Sequence, residues 1–123
     1  MTTVDQLVEF GRRLAASRVQ QLGMSTRLGA AIVLRQAYEA CVDEYWQRVA
    51  PALEHTNHRN QLTALRSYAG DEVADTATYL WAVLSDACHY DAYDLPPTTR
   101  EIEHLAVMIN ELAAALEASN PKR

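Results

Sequence analysis

A chain of 123 residues is most simply one domain, long enough to bury a single core without disulfide or metal support. Hydrophobic residues make up 49% and charged residues 22%, which excludes a disordered composition, and no apolar run approaches the roughly 20 residues that a membrane-spanning helix needs. The formal net charge of -5 excludes a broad electrostatic surface for DNA or RNA, because phosphate binding needs clustered Lys and Arg, while leaving room for a small local basic patch.

The N-terminal stretch "MTTVDQLVEF" lacks a basic segment followed by an apolar one, so no signal peptide and a cytoplasmic location are expected. In that compartment Cys41 and Cys88, which have no metal-type spacing, read as reduced and buried small hydrophobes.

In chain order, the apolar spacing is helical throughout. From about Val4 to Leu22, Leu7, Val8, Gly11, Leu14 and Ala15 recur at three- and four-residue steps. Gly23 then gives a stop and Ser25/Thr26 a cap signal. A second helix is predicted from about Arg27 to Val49, ending before Pro51 because the residue preceding proline avoids helical geometry. Its apolar residues, from Leu28 to Val49, cover more than one stripe. So wide a surface suits either the central helix of a bundle or one that also meets a partner.

"PALEHTNHRN" is the most polar stretch and the expected irregular connection. A shorter helix with Leu62, Leu65 and Tyr68 or Ala69 inward should stop at Gly70, and Asp71 is placed to cap the next. That helix, about 72 to 89, presents Val73, Ala77, Leu80, Trp81, Leu84 and Cys88 on one face. After the loop "HYDAYDLPP", Thr98 and Glu101 form a T-x-x-E capping box for a last helix with Ile102, Leu105, Ala106, Ile109, Leu112, Ala113 and Leu116 inward. The expectation is an all-α, up-and-down bundle of four to five helices over residues 1–118. Trp46, Leu80, Trp81, Leu84, Ile102 and Ile109 should be largely buried, and 119–123 should form a polar tail.

Several constellations carry chemistry in principle. Glu101/His104 and Asp86/His89 have the i, i+3 carboxylate–histidine spacing of bundle metal sites, which also need a carboxylate from each of two other helices; Glu39 or Glu44 and Glu72 would have to serve. Glu101 belongs to the capping box and His104 falls off the apolar stripe, so no metal site and no cofactor are assigned. The pair His55/His58 sits in the polar connection and is weaker still. Cys88 and His89 are adjacent, and adjacent helical residues point about 100° apart, so they do not form a nucleophile pair.

Arg35 sits within the apolar surface of the long helix, where a guanidinium needs a carboxylate from another helix or must reach the rim. In "HYDAYDL", Tyr90, Tyr93 and Asp94 are candidates for a binding or interface loop; the alternative is that they seal the end of the bundle.

The long helix with "VLRQAYEACVDEYW", followed by "LTALRSYAGDEVADTATYLWAVLSDACHYDAYDLPPTTREIEHL", resembles the HEPN superfamily of small helical domains over roughly residues 27 to 116. The resemblance implies a bundle that pairs into a homodimer through two of its helices. In active members it implies a metal-independent endoribonuclease, with an arginine and a histidine four to six residues apart near a helix end. The histidine would be His89. Leu84, Val83 and Ala82 stand where the arginine is required. The resemblance thus implies a degenerate homodimerisation or interaction module, in a defence, toxin–antitoxin or phage-conflict setting, with a protein partner possible; the charge and the lack of a long apolar run add the expectation of no DNA and no membrane partner.

Two alternatives are carried with it. One is a ribonuclease with a rearranged site: His89 as acid/base, Arg35 (or Arg66) supplying positive charge and Asp86 or Tyr90 orienting, with RNA a partner only in that case. The other is a bundle that binds a metal or small ligand.

Overall fold

The computed structural model describes residues 2–16, 26–88 and 97–119, and within them the chain is all-α with no strand. The described residues form five α-helices, α1 (Thr3–Ala16), α2 (Thr26–Val49), α3 (His58–Ala69), α4 (Asp71–Cys88) and α5 (Thr99–Ala118), with a 3-10 turn at Pro51–His55 between α2 and α3. His89, Tyr90, Tyr93 and Asp94, and the predicted continuation of the first helix to Leu22, lie outside the described residues.

Contacts at the helix ends fix the directions. Thr99 Oγ1 donates to the Ala15 carbonyl, so α5 begins where α1 ends. Arg48 Nη2 donates to the Leu116 carbonyl at 2.6 Å, bringing the C-terminal ends of α2 and α5 together. A cation there also offsets the negative end of the α5 dipole. Tyr38 meets Ala77, and Arg35 meets Trp81 one turn further along α4, so α2 and α4 run in opposite directions. The helices α1, α2, α4 and α5 therefore alternate, and α3 lies alongside, starting beside Tyr38 and ending with Tyr68 edge-on to Trp46.

The wide apolar surface of α2 is explained by its place. It packs on α1, α4, α5 and the 3-10 turn, with Leu34, Tyr38, Val42, Tyr45 and Trp46 all at 1% exposure or less. Of the two roles that width suits, it serves that of the central helix. Burying side chains of this size contributes about 1.5–3 kcal/mol each. Leu80, Leu84, Ile102 and Ile109 complete the core as expected, whereas Trp81 is only half-buried. Gly11 permits the close approach of α1, since a Cβ there would stand 2.9 Å from Leu34 Cδ2.

Two junctions differ from the sequence expectation. The polar stretch is not irregular to its end: Asn57 accepts from the Asn60 backbone N–H at 2.9 Å and starts α3 at His58. Asp71 does not cap α4. Gly70, at φ 97°, ends α3 through its N–H to the Arg66 carbonyl and opens α4 through its carbonyl to the Ala74 N–H. Asp71 instead receives Arg66 at 3.0 Å, and the same guanidinium reaches Asp75 at 2.7 Å. The capping box of Thr98 and Glu101 is present as expected.

Candidate functional site

The densest group of polar and aromatic side chains lies where α2, α3 and α4 meet. The N-cap at Asn57 puts His58 in the first turn of α3, facing Tyr38 of α2. The two face each other edge-on, Tyr38 is fully buried, and its hydroxyl is 2.7 Å from His58 Nε2 and 3.0 Å from the Ala77 carbonyl. His58 Nδ1 lies 3.0 Å from Gln61 Oε1. Gln61 is buried, and its amide nitrogen donates to the Leu53 and Glu54 carbonyls, which fixes the oxygen toward the imidazole.

Trp81 of α4 covers the group, with its ring 4.2 Å from the His58 ring and tilted by 38°. Arg35 places its guanidinium carbon 5.0 Å from the centre of the same indole, a cation–π contact, while its Nε donates to Glu39 at 3.0 Å. A cleft of about 150 Å³ opens here, lined by Glu39, Val42, Asp43, Thr56, His58, Gln61 and Trp81.

Burial shapes the protonation chemistry. It pulls His58 below its ordinary pKa of 6.5; the Gln61 oxygen and Glu39 act against it and Arg35 with it. Burial pushes the Tyr38 phenol well up, and raises the Asp43 carboxyl, aided by Glu54 and Glu39. Burial also raises the Cys88 thiol, although the Arg35 guanidinium beside it works in the opposite direction. Both ring nitrogens of His58 are engaged, so it is not poised as a free catalytic base.

These positions revise several expectations. Arg35 is at the rim, and among the described residues its carboxylate partner is Glu39, one turn along its own helix, not one on another. Cys88 is half-buried rather than sealed in the core, and Asp86 is exposed on α4. His55 is exposed while His58 turns to Tyr38, so the pair does not converge. Glu101 is held in the capping box and His104 is exposed. Among the described residues no three His, Cys, Asp or Glu come together as a metal site requires. The importance of His58 escaped the sequence. The signal available was N-H-x-x-Q, a capping asparagine with His and Gln one turn apart.

Two other surfaces complete the survey. Near the C-terminal ends of α2 and α5, a cleft of about 340 Å³ is bordered by Cys41, Glu44, Tyr45, Arg48 and Glu117. Between α4 and α5 a groove of about 510 Å³ is lined by Tyr79, Val83, Thr98, Arg100, Glu101, His104 and Leu105. Tyr79 is 48% exposed there, and Val107, on the same α5 stripe as Arg100 and His104, is 41% exposed. No helix among the described residues is long and apolar enough to cross a membrane. No protein-family model, curated protein or solved structure matches the chain.

Proposed function

We propose that the chain is a helical interaction module that pairs as a symmetric homodimer through α4 and α5, a degenerate HEPN-like domain acting by association rather than catalysis, in a defence or toxin–antitoxin setting. The observation that carries this reading is the α4–α5 groove, where Tyr79 and Val83 leave apolar surface uncovered beside a rim of mixed charge, with exposed Val107 further along α5. Apolar surface rimmed by polar groups is the usual mark of a protein contact. In a two-fold interface each residue meets its counterpart reciprocally, so a rim carrying both Arg100 and Glu101 can complement itself. The HEPN resemblance supports pairing through two helices.

The test is light scattering on wild type and Val83→Asp. Val83 is half-buried at the edge of the core, so circular dichroism accompanies the mass measurement to show that the fold is kept. Wild type should have the mass of a dimer and Val83→Asp that of a monomer, with the same helical circular dichroism. A dimer that survives the substitution would remove α4–α5 as the interface.

A second reading, a metal-independent ribonuclease, is favoured by one observation. Arg35 reaches Cys88, the last residue of α4, and the chain continues directly into His89. An arginine from α2 would then supply the charge that the local sequence lacks. An assay on single-stranded and transfer RNA separates the two. The interaction module predicts no cleavage. The ribonuclease predicts cleavage abolished by both His89→Ala and Arg35→Ala, with thermal melting preserved.

A further inference from the structure

The chain of contacts Gln61 Oε1–His58 Nδ1, His58 Nε2–Tyr38 Oη and Tyr38 Oη–Ala77 O has a hydrogen-bond acceptor at each end. Three contacts need three hydrogens. A neutral imidazole and a phenol supply two between them. Because Gln61 Oε1 can only accept, the neutral ring carries its hydrogen on Nδ1 and takes the Tyr38 hydroxyl hydrogen at Nε2. Ala77 O then keeps only the bond of its own helix. An imidazolium donates from both nitrogens, and the Tyr38 hydroxyl is released to donate to Ala77 O. Both protonation states are therefore hydrogen-bonded, and they differ in where the phenol points and in one unit of charge.

That charge falls in crowded surroundings. From α2 the imidazole is faced by Arg35 and Glu39, with Asp43 on the same cleft; from α3 itself it is faced by Gln61, which the Leu53 and Glu54 backbone carbonyls of the 3-10 turn hold in place, and from α4 by the indole of Trp81. An imidazolium stacked 4.2 Å from Trp81 would be a second cation on an indole that already carries Arg35, and a second claimant on Glu39.

We propose that His58 is a proton-operated switch at the α2–α3–α4 junction: taking up a proton turns the Tyr38 hydroxyl from the imidazole to the Ala77 carbonyl and loosens Arg35 from Trp81. Arg35 is the member of the switch that lies beside Cys88, so the output is the C-terminal end of α4. Because burial holds His58 below 6.5, the folded chain binds fewer protons than the unfolded one. Stability contributed by neutral His58 is present above pH 6.5 and is lost as pH falls from 6.5 toward the lower folded value.

The experiment is an NMR titration of the wild-type chain that follows the His58 ring nitrogens, the Trp81 indole N–H and the Arg35 Nε–H, with melting temperature measured over the same range. The switch predicts a single shared midpoint below 6.5 for all three groups, and a melting temperature that falls through that window. In His58→Gln the Trp81 and Arg35 signals should stay still and the fall should shrink. A His58 ring that titrates while Trp81 and Arg35 do not move would overturn the proposal. So would one that stays neutral until the chain unfolds. Both outcomes are read on wild type, whatever the folding of the variant.

Discussion

Single side chains in this bundle are held by burial more than by pairing, and Tyr45 is the sharpest case. It is 1% exposed, edge-on to Trp46 and beneath Arg48, and its hydroxyl has no hydrogen-bond partner among the described residues. A buried hydroxyl without a partner costs on the order of 1–3 kcal/mol. Tyr45→Phe keeps the ring and removes that cost, so it should stabilise the chain by about 1 kcal/mol in urea denaturation; a comparable loss would show that the hydroxyl is bonded. The two thiols should differ as well. Burial pushes the Cys41 thiol up to about 12, while Cys88 is half-exposed, so iodoacetamide on the folded chain should label Cys88 first; labelling of Cys41 first would contradict its burial. At this scale the sequence was only partly legible. Its pattern put Arg35 among apolar residues, but whether the guanidinium would take Glu39, Trp81 or a carboxylate elsewhere depended on how α4 crosses α2. His58 was harder still, because its partner Tyr38 is 20 residues away and on another helix.

Helix ends carry their own signals, and their legibility varied with how local the chemistry was. The Thr98/Glu101 box is wholly local: both its hydrogen bonds lie within four residues, and it was readable directly. The α3–α4 corner was misread by one residue because two explanations fit the same letters. An aspartate after a glycine resembles a cap, yet the glycine backbone here serves both helices and frees the Asp71 carboxylate for Arg66. At φ 97° and ψ 167° Gly70 occupies a region that a Cβ makes costly, although nothing else lies within 4 Å to obstruct one. Gly70→Ala should therefore destabilise the chain by about 1–3 kcal/mol through backbone strain alone. Thermal melts check this, and an unchanged melting temperature would mean the corner adapts. The start of α3 was missed for the opposite reason, since "NHRN" is polar throughout and only the Asn57 cap marks it as helical.

For the whole molecule, helix order and core were legible because periodicity at three- and four-residue steps records which face is inward. What the sequence left open was which of two uses the broad α2 surface serves. Its apolar residues meet α1, α4 and α5 within the chain, and exposed apolar side chains stand on the other helices, Tyr79 on α4 and Val107 on α5 as well as Phe10 on α1 and Tyr68 on α3. The central proposal is that a second copy of the chain covers the α4–α5 groove. Sedimentation equilibrium of the wild-type chain, from about micromolar to about millimolar, tests it most directly. A reversible monomer–dimer equilibrium that Val83→Asp shifts to monomer, with folding intact, is the expected result. A wild-type chain that sediments as a monomer across the whole range would contradict it.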